Sequence, residues 1–215
     1  VLHAPTSKSL STTWLVYAGF VGLGLLARVV PGVFVVMVAV GLLLPVVAVR
    51  RQHPPATVGY TRRELGRSVL WGLGIGAVMT LLTLAVNGTQ EQPLPGVQLA
   101  IGVGLWFAVL SPFQENLFRG WIQPRLQERW GSWPGLLVAS AAFAAWHLAP
   151  PLTSTATSSL PLTTATGLGT AFVLGVLAGL ARDRTGSMVG PWLGHALAGI
   201  ALVATGQMTF LQYQP

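Results

Sequence analysis

Cysteine is absent from all 215 residues. That excludes disulfides, thiolate metal sites and a thiol nucleophile at once. Charge is nearly as scarce. Only 8% of the residues are charged and 52% are hydrophobic, whereas roughly 25% of an ordinary soluble domain is charged. Mean hydropathy is +0.64. A water-facing surface cannot be assembled from so few polar side chains, so the surrounding medium for this chain is lipid. The first ten residues, VLHAPTSKSL, lack the pattern of a signal peptide.

In place of charge there is continuous apolar sequence. A helix needs about 20 apolar residues to cross the hydrocarbon, with about 17 as the lower limit. Seven stretches qualify or nearly do, at 13–30, 32–49, 68–86, 97–116, 134–149, 164–181 and 187–207. The runs are unbroken rather than alternating, which favours helices over a β-barrel. The expectation is one all-α membrane domain over 1–215, a polytopic transmembrane helical bundle of about seven spans. Residues 1–95 hold the N-terminal spans and 97–207 a second group. VVPGV joins the first two spans as a tight turn, and the fifth is short enough to be tilted or enclosed by the others. Gly72-x-x-x-Gly76, Gly175-x-x-x-Gly179 and Gly190-x-x-x-Gly194 suit close helix packing in lipid. GLGIG is no phosphate loop, because no Lys follows it and it lies inside a span. Asn87-Gly88-Thr89 matches a glycosylation sequon, but a plain turn accounts for it equally well.

The few basic residues are unevenly placed. Arg50, Arg51, Arg62, Arg63 and Arg67 follow the second span; Arg119, Arg125 and Arg129 follow the fourth; Arg182 and Arg184 follow the sixth. NGTQEQPLPG and PPLTSTATSSLPL contain neither Lys nor Arg. With Lys8, eleven of the twelve basic residues fall on one side, and only Arg28 dissents. The positive-inside rule then puts the N-terminus in the cytoplasm and the C-terminus outside. The net charge of +7 is accounted for by contact with anionic lipid. Nothing else supports nucleic-acid binding.

Five acids and four histidines exist in the whole chain. Glu64, Glu91, Glu128 and Asp183 fall in loops or at helix ends, and His3 and His53 lie in polar segments. Glu115 alone stands near the end of an apolar span, with Gln114, Asn116 and Arg119 about it. His147 closes the fifth span and His195 lies in the seventh. Ionisable groups inside a membrane are expensive and mark working sites. Glu115 and Arg119 are four apart, so they share a helix face and can pair. Taken alone, that is a structural salt bridge, and a lone intramembrane His is more often a helix–helix hydrogen bond than a catalyst. Convergence of the whole set on one cavity is the sharper expectation, with the site at or below the cytoplasmic boundary of the fourth span, reached from the cytoplasm or laterally from lipid.

The segments QENLFRGWIQPRL, FAAWH and FVLGVLAGLARDRTGSMVGPWLGHALAG, taken in order, resemble the CPBP family of intramembrane proteases. This family is related to the CAAX prenyl endopeptidase and to bacteriocin-processing and immunity proteins. The likeness covers about residues 105–205. It implies that 97–207 is the catalytic core of a glutamate-dependent intramembrane endopeptidase. In the family pattern Glu-Glu-x-x-x-Arg, the first Glu activates water; that position is Gln114 here. Glu115 and Arg119 match the second Glu and the Arg, and would organise the site. Phe143 and His147 match Phe-x-x-x-His, with His147 assisting the water. His195 matches the His of His-x-x-x-Asn, a donor to the oxyanion, while Gly199 replaces the Asn.

A carboxamide cannot take a proton from water, so Gln114 implies an inactivated or degenerate form. It is either a Glu→Gln substitution in an active enzyme or a natural departure, and Gly199 favours the second. Glu115 could serve as base only through a local helix adjustment. No cofactor is expected. A zinc set of Glu115, His147 and His195 is the less favoured alternative, since no His-Glu-x-x-His is present. Expected partners are membrane lipid and a protein or peptide substrate arriving from the membrane or the cytoplasmic side. The expected location is a bacterial or archaeal plasma membrane. Two rivals stand beside this reading. One is a non-catalytic scaffold or immunity factor of the same fold. The other is a small proton-coupled transporter, disfavoured because no internal repeat relates 1–95 to 97–207.

Overall fold

A computed structural model describes residues 7–50, 58–87, 96–150 and 165–208. His3, His53, Glu91, most of both Arg-free loops and the last two residues of the sequon lie outside them. Seven helices are present among the described residues: α1 (Ser7–Ala27), α2 (Gly32–Arg50), α3 (Leu65–Asn87), α4 (Gly96–Trp130), α5 (Ser132–Trp146), α6 (Ala165–Thr185) and α7 (Val189–Ala204). Four are long and apolar enough to span a bilayer alone: Leu10–Ala27, Leu65–Val86, Gly96–Trp130 and Ala165–Thr185. Gly32–Leu44, Ser132–Trp146 and Val189–Ala204 are shorter apolar helices. The expected helical membrane bundle is therefore present.

The outer face is apolar. Leu15, Leu70 and Leu81 are each more than 60% exposed, as lipid-facing side chains should be. The interior is aromatic: Phe113, Phe118, Phe143 and Trp146 are fully buried and stack edge-on against one another.

Small residues let the backbones approach. A Cβ on Gly72 would lie 2.9 Å from the Gly190 carbonyl oxygen, and one on Gly194 would lie 2.7 Å from Ile75. The small-residue stripes of α3 and α7 thus face each other directly, as lipid-embedded helices require. At that crossing the Ser68 hydroxyl accepts from the Gly190 N–H at 2.7 Å, satisfying one of the open donors at the start of α7. The dissenting Arg28 also has a local reason. Its Nε donates to the Ala149 carbonyl at 2.8 Å and its Nη2 to the Leu148 carbonyl. It therefore neutralises open carbonyls just past the C-terminal end of α5.

The fourth helix departs from expectation. It does not stop near residue 116 but runs on to Trp130. Thirty-five residues reach about 52 Å at 1.5 Å per residue, longer than the hydrocarbon. Its last segment, Gln123–Trp130, is strongly amphipathic, so the helix leaves the apolar zone while staying helical. Two π-helical segments interrupt it, Trp106–Leu110 and Asn116–Ile122. Each ends just ahead of a proline, Pro112 or Pro124. Proline has no N–H, and its ring collides with the carbonyl four residues back. A wider turn ahead of it relieves both problems without breaking the helix.

Candidate active site

The stretch of α4 from Ser111 to Gln123 carries the polar load. Ser111, Gln114, Glu115, Asn116, Arg119 and Gln123 are all buried. Oε1 of Glu115 accepts from Nη1 of Arg119 at 3.3 Å and lies 2.6 Å from Nδ1 of His195. Nη2 of Arg119 donates to the Gly175 carbonyl at 3.0 Å. Its guanidinium carbon sits 4.4 Å from the centre of the Phe143 ring, a cation–π contact. One carboxylate therefore joins α4 to α7, and one guanidinium joins α4 to α5 and α6. The cluster is enclosed by the bundle, and α4 continues past Glu115 to Trp130. From the basic side, Tyr60 donates to Oδ1 of Asn116 at 2.5 Å. Burial raises the Tyr60 phenol above its ordinary range, and the bond to Asn116 offsets part of that.

His147 stands just beyond α5. Its Nδ1 lies 2.8 Å from the Phe143 carbonyl. A carbonyl only accepts, so Nδ1 carries the proton and the neutral ring keeps a lone pair on Nε2. In His195, Nδ1 faces the carboxylate and must donate when Glu115 is ionised, which commits that nitrogen and leaves Nε2. Phe143 is the common support. Its ring packs on His147 at 4.7 Å and on His195 at 5.5 Å between centroids, both edge-on.

A cavity of about 70 Å³ opens beside the two histidines. Met79, Leu82 and Val86 of α3, Ala171 and Leu174 of α6, and Leu202 of α7 make its apolar wall. These positions lie in the halves of the helices that lead into or out of the Arg-free segments. Of the expected residues, Glu115, Arg119 and His195 form one hydrogen-bonded cluster, and His147 joins it through Phe143 and the cavity. Gln114 is fully buried in the same helix turn but is not on the cavity wall. Both of its amide atoms lack a hydrogen-bond partner, and so does Oε2 of Glu115. Among the described residues, no three His, Asp or Glu side chains are grouped to hold a metal ion.

One wall residue escaped the sequence reading. A Cβ on Gly199 would lie 2.0 Å from Cδ2 of Trp106 and 2.4 Å from Cε2. The indole thus fills the space into which a longer side chain at 199 would project. It also packs on the His195 ring at 5.6 Å. A sequence offers no signal for this pairing except a large side chain and a glycine that must meet across two helices.

Residues 95–201 match the family model described as type II CAAX prenyl endopeptidase Rce1-like. The chain belongs to this family, within the CPBP group of intramembrane proteases, and is an integral membrane protein with the CAAX-type protease fold. No curated protein and no solved structure shows a significant match.

Proposed function

We propose that the chain is an intramembrane endopeptidase of the glutamate-dependent type whose water-activating position carries a carboxamide. Glu115 and Arg119 hold α4, α6 and α7 in register, and Glu115 orients His195. His147 accepts from a water through Nε2. In a peptidase of this layout, the water oxygen attacks the scissile carbonyl carbon and its proton passes to a carboxylate. The C=O pair moves onto oxygen. Collapse then breaks the C–N bond, and the proton goes to the leaving amine. With Gln114 the first proton has no acceptor of adequate basicity, so the chain binds a peptide segment without efficient turnover. The reaction as written needs no metal or organic cofactor.

The observation that carries this reading is the state of Gln114. A purely structural glutamine, fully buried, would have its amide paired, since an orphaned buried polar atom costs about 1–3 kcal/mol. Here both amide atoms are orphaned, beside a carboxylate that is itself tied down. Trp106 fits over Gly199 as one piece fits another, which favours natural divergence over a single introduced change. The apolar cavity wall favours a substrate with aliphatic side chains that reaches the site through lipid between α3 and α6. The arginine distribution favours a cytoplasmic N-terminus and an external C-terminus in a bacterial or archaeal plasma membrane. A second reading, a non-catalytic scaffold of the same fold, is favoured by the carboxamide itself.

One variant separates the two readings. Gln114→Glu, in detergent or liposomes, should cleave apolar membrane peptides that the unaltered chain leaves intact. Adding His147→Ala should abolish that activity. A well-folded Gln114→Glu variant with no proteolysis would leave the scaffold.

A further inference from the structure

We propose that Trp106 is a substrate-contacting residue, its indole N–H donating a hydrogen bond to the carbonyl oxygen of a bound peptide. The inference rests on the peptidase reading for its chemistry, but not for its binding test. Three observations converge. Trp106 is 3% exposed and its Nε1 has no hydrogen-bond partner. It lines the cavity that holds His147 and His195. It occupies the volume left open by Gly199, against the His195 ring.

Other buried side-chain atoms also lack partners, among them those of Gln98, Ser111, Gln114, Trp121, Trp146 and Gln207. None of those residues is on the cavity wall; among the described residues, Trp106 alone combines the two properties. An indole N–H is a donor that cannot accept, so its partner must bring a lone pair. The rest of the wall is mainly apolar carbon, which supplies few competitors. A peptide carbonyl presents such a lone pair, and its oxygen becomes more negative as a nucleophile adds to the carbon. A fixed neutral donor then gains strength during the reaction. The bulk of the indole has a second consequence. It narrows the cavity, so the accepted side chains are small and aliphatic.

The test uses the full chain in detergent micelles with ¹⁵N-labelled tryptophan. Trp106→Phe keeps most of the packing, removes the N–H, and assigns its resonance among the eight tryptophans. Titration with an acetylated tetrapeptide amide of Val and Leu should move the Trp106 N–H signal downfield. Trp106→Phe should weaken Kd about 3–10-fold, the range for one neutral hydrogen bond. Trp106→Ala with Gly199→Asn, which offers a carboxamide N–H in the vacated space, should recover the affinity. In the Gln114→Glu background, Trp106→Phe should lower kcat about 10²-fold with a smaller change in KM. An unmoved Trp106 signal at saturation, with Kd unchanged in Trp106→Phe, overturns the assignment. A moved signal together with an inactive Gln114→Glu variant keeps Trp106 as a peptide donor and removes the peptidase reading instead.

Discussion

Gln114 and Glu115 are adjacent and both fully buried, yet substitution at the two positions should shift stability in opposite directions. Oε1 of Glu115 lies 3.3 Å from the Arg119 guanidinium. At an effective dielectric constant of 20, that separation is worth roughly 5 kcal/mol of attraction. Removing both charges from water costs several kcal/mol per ion, so the intact pair is near break-even. Half a pair is not. Glu115→Gln keeps the volume and leaves a buried guanidinium facing a neutral amide, a loss of about 3–5 kcal/mol. Gln114 has no such attachment. Gln114→Met keeps the length, removes two orphaned polar atoms and should stabilise by about 1–3 kcal/mol. For a chain of this size each kcal/mol moves the melting temperature by about 2–4 °C. Thermal unfolding in detergent, followed by tryptophan fluorescence, should therefore show Glu115→Gln lowered by about 6–20 °C and Gln114→Met raised by about 2–12 °C. If Gln114→Met melts as low as Glu115→Gln, the amide is a structural anchor. The case for Gln114 as a residue kept for function would then collapse.

Gly199→Ala should melt lower than the unaltered chain by the equivalent of about 1–3 kcal/mol, because its methyl would meet the Trp106 indole. Gly22→Ala, with nothing within 4 Å of a Cβ, is the helix control and should be neutral or stabilising. Equal melting of the two would refute the packing of Trp106 over Gly199. Proteolysis by Gln114→Glu should persist with a chelator present; loss on chelation and return with zinc would show metal dependence. Cysteines at Gln90 and Ser154 should react with an impermeant reagent from outside intact cells, while one at Thr57 should not. The reverse pattern would invert the topology.

The bundle was legible because lipid imposes one rule over long stretches, and continuous apolar runs obey it. The rule failed at the fourth helix for the same reason. Hydropathy tracks the surroundings of the side chains and not the backbone, so an amphipathic extension such as Gln123–Trp130 looks like a loop. The site was legible in parts that follow from local spacing. Glu115 with Arg119 and Phe143 with His147 are each four apart, and both pairs meet. The contact of His195 with Glu115 spans eighty residues, and no local period encodes it; ring packing on Phe143 from α4, α5 and α7 brings the groups together. Trp106 was not legible, because its message is a volume matched to the absence of another. A Gly in place of an expected Asn reads as a loss while the chain is a string. With the helices packed, the loss becomes room for an indole that lines the cavity and whose buried N–H lacks a partner. That N–H turns a departure from the family pattern into a claim about binding: if the proposal holds, a donor on α4 serves the wall where α7 carries only Gly199, and the Trp106 resonance reports whether a peptide finds it.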